Sequence, residues 1–206
     1  MGVYENARNA TRSKIIAVFW EMYREKPIEK ITIRALTEAC KIGRGTFYNH
    51  FQDVYDVLDS IEAQLSFSLN KMCEDVRDTE LSLDSLSRIL YDYYGDETER
   101  DYINVLILEH RDPFFAQDYL ETLRLLLMDM CVEDIDKVSS AKERMIVDGA
   151  VASIVNLLLN CICKSTLTLD EINELMIGFM QNGFYITLTS RFGIKVLKNP
   201  FQFNRK

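Results

Sequence analysis

Glycine and proline are scarce in this chain, with 8 Gly and 3 Pro among 206 residues. Sheets made of short strands need frequent turns, and these two residues dominate turns. Their scarcity argues against a β-sandwich, and no glycine-rich loop that could hold a nucleotide phosphate occurs. We therefore predict an all-α fold of about nine helices.

Histidine is rarer still, because His50 and His110 are the only two. The chain has no H-E-x-x-H motif and no evident Ser/His or Cys/His pairing, so we expect no metal site, no cofactor and no enzymatic activity. The odd number of cysteines and their apolar helical surroundings favour small buried side chains in a reducing compartment, and a redox sensor is the alternative. The cysteines are Cys40, Cys73, Cys131, Cys161 and Cys163.

The chain also lacks an apolar segment at its N-terminus of the kind that secretory signals contain. Its most apolar run, residues 146–163, is interrupted by Asp148, Ser153, Asn156 and Asn160. Such a number of polar residues is unusual in a transmembrane span. We expect a helix that is buried on most sides, no membrane partner and a cytoplasmic protein.

Charge is unevenly distributed. Residues 1–53 contain nine basic and six acidic residues and carry +3, whereas residues 54–206 contain fifteen and twenty-six and carry −11. A mildly basic segment attached to an acidic one is typical of a chain that meets phosphate groups at one end only.

The basic segment contains a helix-turn-helix pattern over residues 31–53. Thr32 is a good N-cap, and apolar residues follow it at helical spacing as far as Cys40. A short break at 41–43 precedes a second predicted helix over residues 44–50. In helix-turn-helix proteins the second helix enters the DNA major groove.

The second helix has an apolar inner edge and a polar outer surface. Phe47 and Phe51 lie one turn apart and should be buried, which leaves Gly45 and Asn49 facing outward, because residues advance by about 100° each. Arginine can bond guanine and asparagine can bond adenine, while hydroxyl groups and histidine reach phosphate oxygens. The flanks of the helix supply these groups through Arg44, Thr46, Tyr48 and His50.

The run Arg-Gly-Thr-Phe-Tyr-Asn-His-Phe (44–51), with Ile31 to Arg34 before it and Asp53 and Leu58 after it, resembles the DNA-binding domain of the TetR (tetracycline repressor) family. Lys41 stands where that family usually has glycine, and Val54 where it usually has lysine. The resemblance implies a three-helix DNA-binding domain over 1–53 and a helical ligand-binding and dimerisation domain over 54–206. It also implies contacts to a double-stranded operator from Thr32, Arg34, Arg44, Gly45, Thr46, Tyr48, Asn49 and His50.

The same resemblance implies a dimeric, sequence-specific regulator, a repressor that a small molecule releases. An activator, or an architectural protein of the same fold without an effector, is the alternative. The last two long predicted helices, 141–163 and 169–189, are apolar over much of their circumference, so they would form the homodimer interface. The alternative is that they are only the central helices of a monomer's core.

A candidate effector site rests on the many aromatic and methionine residues between positions 90 and 130. Such side chains give an adaptable apolar surface with hydroxyl groups, which suits a small organic molecule. The same pattern also describes an ordinary hydrophobic core. The predicted ligand-binding residues are Tyr91, Tyr94, Tyr102, His110, Phe115, Tyr119 and Met128.

Overall fold

The structure is a computed structural model that describes residues 3–79, 83–109, 111–132 and 140–194. Nine α-helices make up most of these ranges, which confirms the predicted all-α class. Contacts divide the chain into two compact units, Met1–Leu65 and Ser66–Lys206. The two units divide within the fourth helix, and the functional boundary expected between residues 53 and 54 stays a prediction.

The N-terminal unit contains three helices and the first half of a fourth: α1 (Val3–Glu25), α2 (Ile33–Cys40), α3 (Arg44–Tyr48) and α4 (Val54–Asp78). Side chains cap both α2, as predicted at Thr32, and α4. The Thr32 hydroxyl accepts a hydrogen bond from the Ala35 N–H at 3.2 Å, and the Asp53 carboxylate accepts two from the first turn of α4. The core is fully buried, with no exposed surface on Ile15, Phe19, Leu36 or Phe47.

The turn between α2 and α3 places Lys41 in the left-handed region, at φ 54° and ψ 45°. The Lys41 N–H donates to the Glu38 carbonyl, and the Ile42 N–H donates to the Thr37 carbonyl at 3.0 Å. This pair of bonds is the Schellman motif, in which glycine usually takes the left-handed position. The lysine therefore keeps the turn that a glycine would make, at a conformational cost.

The C-terminal unit contains the rest of α4 and five more helices: α5 (Leu83–Tyr94), α6 (Glu97–Ile103), α7 (Pro113–Cys131), α8 (Ala141–Lys164) and α9 (Leu169–Gly178). Side-chain caps mark the starts of four of these helices. Asp96 accepts from two backbone N–H groups in the first turn of α6, Asp112 accepts from one in α7, and α7 opens with a proline. Complete capping boxes at 140–143 and 168–171 begin α8 and α9.

Packing in the C-terminal unit brings α5 against α9, and α8 against both α7 and α9. A π-helix over Asn104–Leu108 continues α6 and packs on α7 and α8. Its Glu109 N–H donates to the Asn104 carbonyl, five residues back. The Tyr93 hydroxyl donates to the Asp75 carboxylate and so joins α5 to α4.

The last helix continues beyond α9 as two π-helical segments, Phe179–Tyr185 and Thr187–Arg191. One stripe of its buried side chains recurs every four residues, a spacing that would drift by roughly 40° at each step around an α-helix. A π-helix turns through a smaller angle per residue, so the π segments after α9 offset that drift and keep the stripe near the core. The stripe consists of Ile172, Met176, Met180, Phe184 and Leu188.

Helix α8 is less buried than its apolar composition predicts. Its most apolar stretch has a mean hydropathy of 1.9, and 33% of that stretch is buried, so the expectation of burial on most sides was wrong. Val147, Val151 and Ile154 face the core, whereas Met145 and Ala152 are exposed. By length and composition α8 could cross a membrane, but a single such helix is weak evidence, because core helices pass the same test.

Candidate nucleic-acid interface and internal cavity

Two buried aromatic rings fix the orientation of α3. Phe47 and Phe51 have at most 3% of their surface exposed, as predicted, and their ring centroids lie 6.0 Å apart. The adjacent Tyr48 is 58% exposed, and Arg44, Gly45, Thr46 and Asn49 are exposed as well. The sequence pattern therefore assigned the two faces of this helix correctly.

The helix ends sooner than predicted, at Tyr48 rather than at His50. Asn49 caps it, with φ −73° and ψ −12°, and the Asn49 N–H still donates to the Gly45 carbonyl at 3.1 Å. Asn49 thus keeps its outward position although it lies at the helix end, where boundaries are least determined by sequence.

Gly45 has no packing role within the described residues. A Cβ built on it would have no neighbour within 4 Å, and its φ is not in the left-handed region. Glycine inside a helix costs about 0.5–1 kcal/mol relative to alanine. A surface that must approach another molecule closely would explain why the smallest residue stands there.

The remaining predicted DNA contacts have partners within the chain. The Arg34 Nε donates to the Glu38 carboxylate at 2.8 Å, one helical turn away on α2, and both side chains are largely exposed. The Thr32 hydroxyl caps α2. An exposed ion pair of this kind is weak, so Arg34 can exchange Glu38 for a phosphate at little cost.

An open groove of about 530 Å³ extends the exposed surface of α3 to α1, and it is lined by Ala7, Arg8, Thr11, Asn49 and His50. The Nδ1 atom of His50 is buried there without a hydrogen-bond partner. Burial first, and then the positive charges of Arg8 and Arg12, lower the pKa of His50. The imidazole is therefore neutral at pH 7, and its cationic surroundings suit an anion.

The sequence reasoning missed Arg8, which lines this groove, and Arg12, whose charge acts on His50 beside it. They stand four residues apart on α1 and so share one face of that helix. The Arg12 guanidinium lies 4.9 Å from the centre of the Phe51 ring, which holds it beside His50. The i, i+4 spacing of two arginines just before the helix-turn-helix was a signal that could have found them.

The C-terminal unit contains a partly open apolar cavity of about 100 Å³. Of the predicted ligand-binding residues, Tyr94 alone is among the described residues that line it. Tyr91 is 50% exposed, and its hydroxyl lies 3.5 Å from the Asp170 carboxylate. The cavity is lined by Met72, Val76, Ile89, Leu90, Tyr94, Leu123, Leu126, Leu127, Met130, Ile154, Leu158, Asn173, Met176, Ile177 and Met180.

The other predicted ligand-binding residues are dispersed. Tyr102 and Tyr119 are buried, and the Phe115 ring packs against Tyr119 at 6.0 Å. Met128 is half-buried on α7, and His110 lies outside the described residues. Tyr119 adjoins Tyr94, and burial raises the pKa of both phenols well above the usual value. Both phenols are therefore uncharged hydrogen-bonding groups at neutral pH.

Burial keeps three of the described cysteine thiols protonated at neutral pH. Burial raises the pKa of Cys40 and of Cys73, and it raises that of Cys163 to about 11. A thiol must ionise to act as a nucleophile or redox centre. These three are therefore suited to packing rather than to sensing an oxidant. In the same part of the chain, no group of three or more His, Cys, Asp or Glu side chains could hold a metal ion.

The fold places the chain among all-helical proteins with an N-terminal helix-turn-helix unit. No protein-family model matches the sequence, and no curated protein matches it. Among solved structures, the fatty acid degradation regulator FadR from Bacillus halodurans is similar, with a TM-score of 0.50 and 16% sequence identity. The match covers 85% of this chain and 96% of that one, so the two share a fold over most of their length.

Proposed function

We propose that this chain is a sequence-specific, dimeric DNA-binding regulator of transcription, a repressor that a small organic effector releases. The observation that carries the proposal is the exposed surface of α3, where Gly45, Tyr48 and Asn49 stand on a helix that Phe47 holds in the core. The TetR-like motif supports it, as does a fold shared with a protein described as a regulator. The +3 charge of residues 1–53 is also consistent with it.

The interface proposed for DNA consists of α3, the start of α2 and the groove beside α1. Arg44 and Asn49 would contact base edges, while Thr46, Tyr48, His50, Thr32 and Arg34 would contact the backbone. Arg8 and Arg12 would add phosphate contacts. Each lost phosphate contact should reduce the dependence of the affinity on salt, because fewer counterions are then released.

The experiment is a fluorescence anisotropy titration over a salt series, with the DNA immediately upstream of this protein's own gene and with random DNA. A regulator should prefer its site by at least ~1,000-fold. Asn49→Ala should weaken specific binding by about 1–3 kcal/mol and relax the preference at particular bases. Equal affinity for all DNA would contradict a regulator and favour an architectural protein.

The substitution Arg8→Ala tests whether the groove contributes to DNA binding more than the rest of α1 does. It should weaken binding to every DNA alike and lower the slope of log affinity against log salt by about one. Arg24→Ala is the matched control, since Arg24 lies at the other end of α1, roughly 24 Å from Arg8. Equal effects of the two substitutions would show that net charge alone matters and would remove the groove from the interface.

Dimerisation is proposed through the outer faces of α8 and the last helix. Met145, Leu175 and Ile186 are 76%, 44% and 49% exposed, although all three are large and apolar. Exposed apolar surface of this kind marks interaction sites. Ile186→Lys should convert a dimer to a monomer in analytical ultracentrifugation, whereas Phe114→Lys, on the more exposed Phe114 of α7, should not. A wild-type monomer at micromolar concentration would contradict the proposal.

A further inference from the structure

The partly open cavity of the C-terminal unit is notable for the chemistry of its walls. Helices α4, α5, α7, α8 and α9 all contribute side chains, and none of the described residues that line it is charged. The polar members of this lining are Tyr94 and Asn173, both at most 3% exposed. No described hydrogen-bond partner meets the Tyr94 hydroxyl in good geometry, although Tyr119 is its neighbour.

The walls exclude a charged ligand group. An ion moved from water into an apolar cavity loses its hydration, and that loss is recovered only if an opposite charge or several hydrogen bonds replace the water. No lysine, arginine or histidine among the described lining residues could meet a carboxylate or phosphate, and no acidic residue could meet an amine. The ligand that fits these walls is uncharged.

The size of the cavity sets a second limit. An apolar cavity of roughly 150 Å³ accepts benzene and stays free of water when empty. This cavity is somewhat smaller, at about 100 Å³, but Met72, Met130, Met176 and Met180 line it. Methionine side chains rearrange easily and make favourable contacts with aromatic rings. They allow the cavity to expand around one aromatic ring or a short alkyl chain.

From these walls and this volume, we propose that the cavity binds a compact, uncharged, largely apolar molecule about the size of one substituted aromatic ring. The inference rests on the proposed function in that it gives the chemical class of the effector.

The test compares two pairs of probes that differ mainly in charge: toluene against benzoate, and 1-octanol against octanoate. Binding to the full-length protein is measured without DNA, by isothermal titration calorimetry and thermal shift. Toluene or 1-octanol should bind and raise the melting temperature. Each carboxylate should bind at least ~100-fold more weakly than its neutral partner, since it would be desolvated without a counter-ion. Equal binding within both pairs, or no binding by either neutral probe, would overturn the inference.

A pair of leucine substitutions on α7 locates the site. Leu126 lines the cavity and is buried, whereas the adjacent Leu125 is half exposed and is absent from the described lining. Leu126→Phe fills the volume and should reduce the affinity for the neutral probe at least ~10-fold, because ligand and ring cannot share one space. Leu125→Phe should leave it unchanged. Equal affinity in both variants would overturn the assignment.

Leu158→Phe, at a half-buried position of the same lining, gives the same test if Leu126→Phe does not fold. The release of DNA is measured separately by anisotropy. If a neutral probe binds the cavity but does not change DNA affinity, the ligand class stands and the effector role in the proposed function fails. If the protein binds DNA specifically but binds no neutral probe, the DNA-binding function stands and the ligand class fails.

Discussion

Both units are built from amphipathic helices, yet they differ in how completely they bury their apolar side chains. In the described part of the N-terminal unit, the large apolar residues that remain exposed are tyrosines, Tyr48 and Tyr55. The C-terminal unit exposes Met145, Leu175 and Ile186, and it contains a cavity with apolar walls.

This difference separates two ways of using a helical core. The N-terminal unit uses its core to hold one short helix in a fixed orientation, and its outward residues are mostly polar. The C-terminal unit has apolar surface both in its cavity and on its outer helix faces, and surface of this kind can receive another molecule. A ligand inside and a second copy outside are the occupants proposed above.

The largest expected effect concerns the filled core of the N-terminal unit. Phe47→Ala should lower the free energy of unfolding of that unit by about 3–5 kcal/mol, because it removes a fully buried ring and leaves a cavity. Tyr48→Ala, at the next residue, should change it by less than about 0.5 kcal/mol. Urea denaturation with hydrogen exchange read for each unit distinguishes the two. A small loss for both would show that this core is as loosely filled as the other.

The second prediction compares a charged cap with a neutral one. Hydrogen bonds from the Glu99 and Thr98 N–H groups lower the pKa of Asp96. Its contribution is therefore complete above the unfolded-state pKa and is lost as the pH falls through the lowered folded-state pKa. Asp96→Ala should cost about 1 kcal/mol at pH 7 and almost nothing near pH 2.

Thr32→Ala provides the matched neutral case in the N-terminal unit. It should cost a similar amount, about 1 kcal/mol, but independently of pH, because a hydroxyl cap does not titrate. Thermal unfolding measured between pH 2 and pH 7 tests both variants. A pH-independent loss for Asp96→Ala would contradict the assignment of the cap to the ionised carboxylate.

The smallest effect concerns the turn before α3. Lys41→Gly should stabilise the N-terminal unit by about 0.5–1 kcal/mol, since glycine adopts the left-handed conformation without the penalty that lysine bears. Ala39→Gly, at an exposed helical position two residues earlier, should destabilise by a similar amount. Denaturant midpoints for the two variants should therefore move in opposite directions. A shift in the same direction would show that the turn is not strained.

Features that depend on residues close together in the sequence were predicted, whereas features that depend on distant contacts were not. The Thr32 cap depends on residues within one helical turn, and it was predicted. The burial of Phe47 and Phe51 follows from helical periodicity alone. Arg8 and Arg12 were missed although their spacing was visible, because their position beside His50 depends on how α1 packs next to the end of α3.

The cavity could not be predicted, because its walls come from five helices far apart in the chain. Of the aromatic residues chosen by their density in the sequence, Tyr94 is the one that lines it. The exposure of α8 was also missed. Apolar composition does not distinguish a helix that is buried within its own chain from one whose outer apolar face is exposed.

The four-residue stripe of the last helix has a mechanical consequence. A π turn contains one extra residue, and its backbone hydrogen bonds join residues five apart instead of four. If the position of the extra residue shifts along the helix, the side chains that it passes rotate about the helix axis while most of the backbone hydrogen bonds are kept. Met176 and Met180 belong to this stripe and also form part of the cavity wall. Movement of a single turn could therefore reshape the wall and turn the outer face of the same helix.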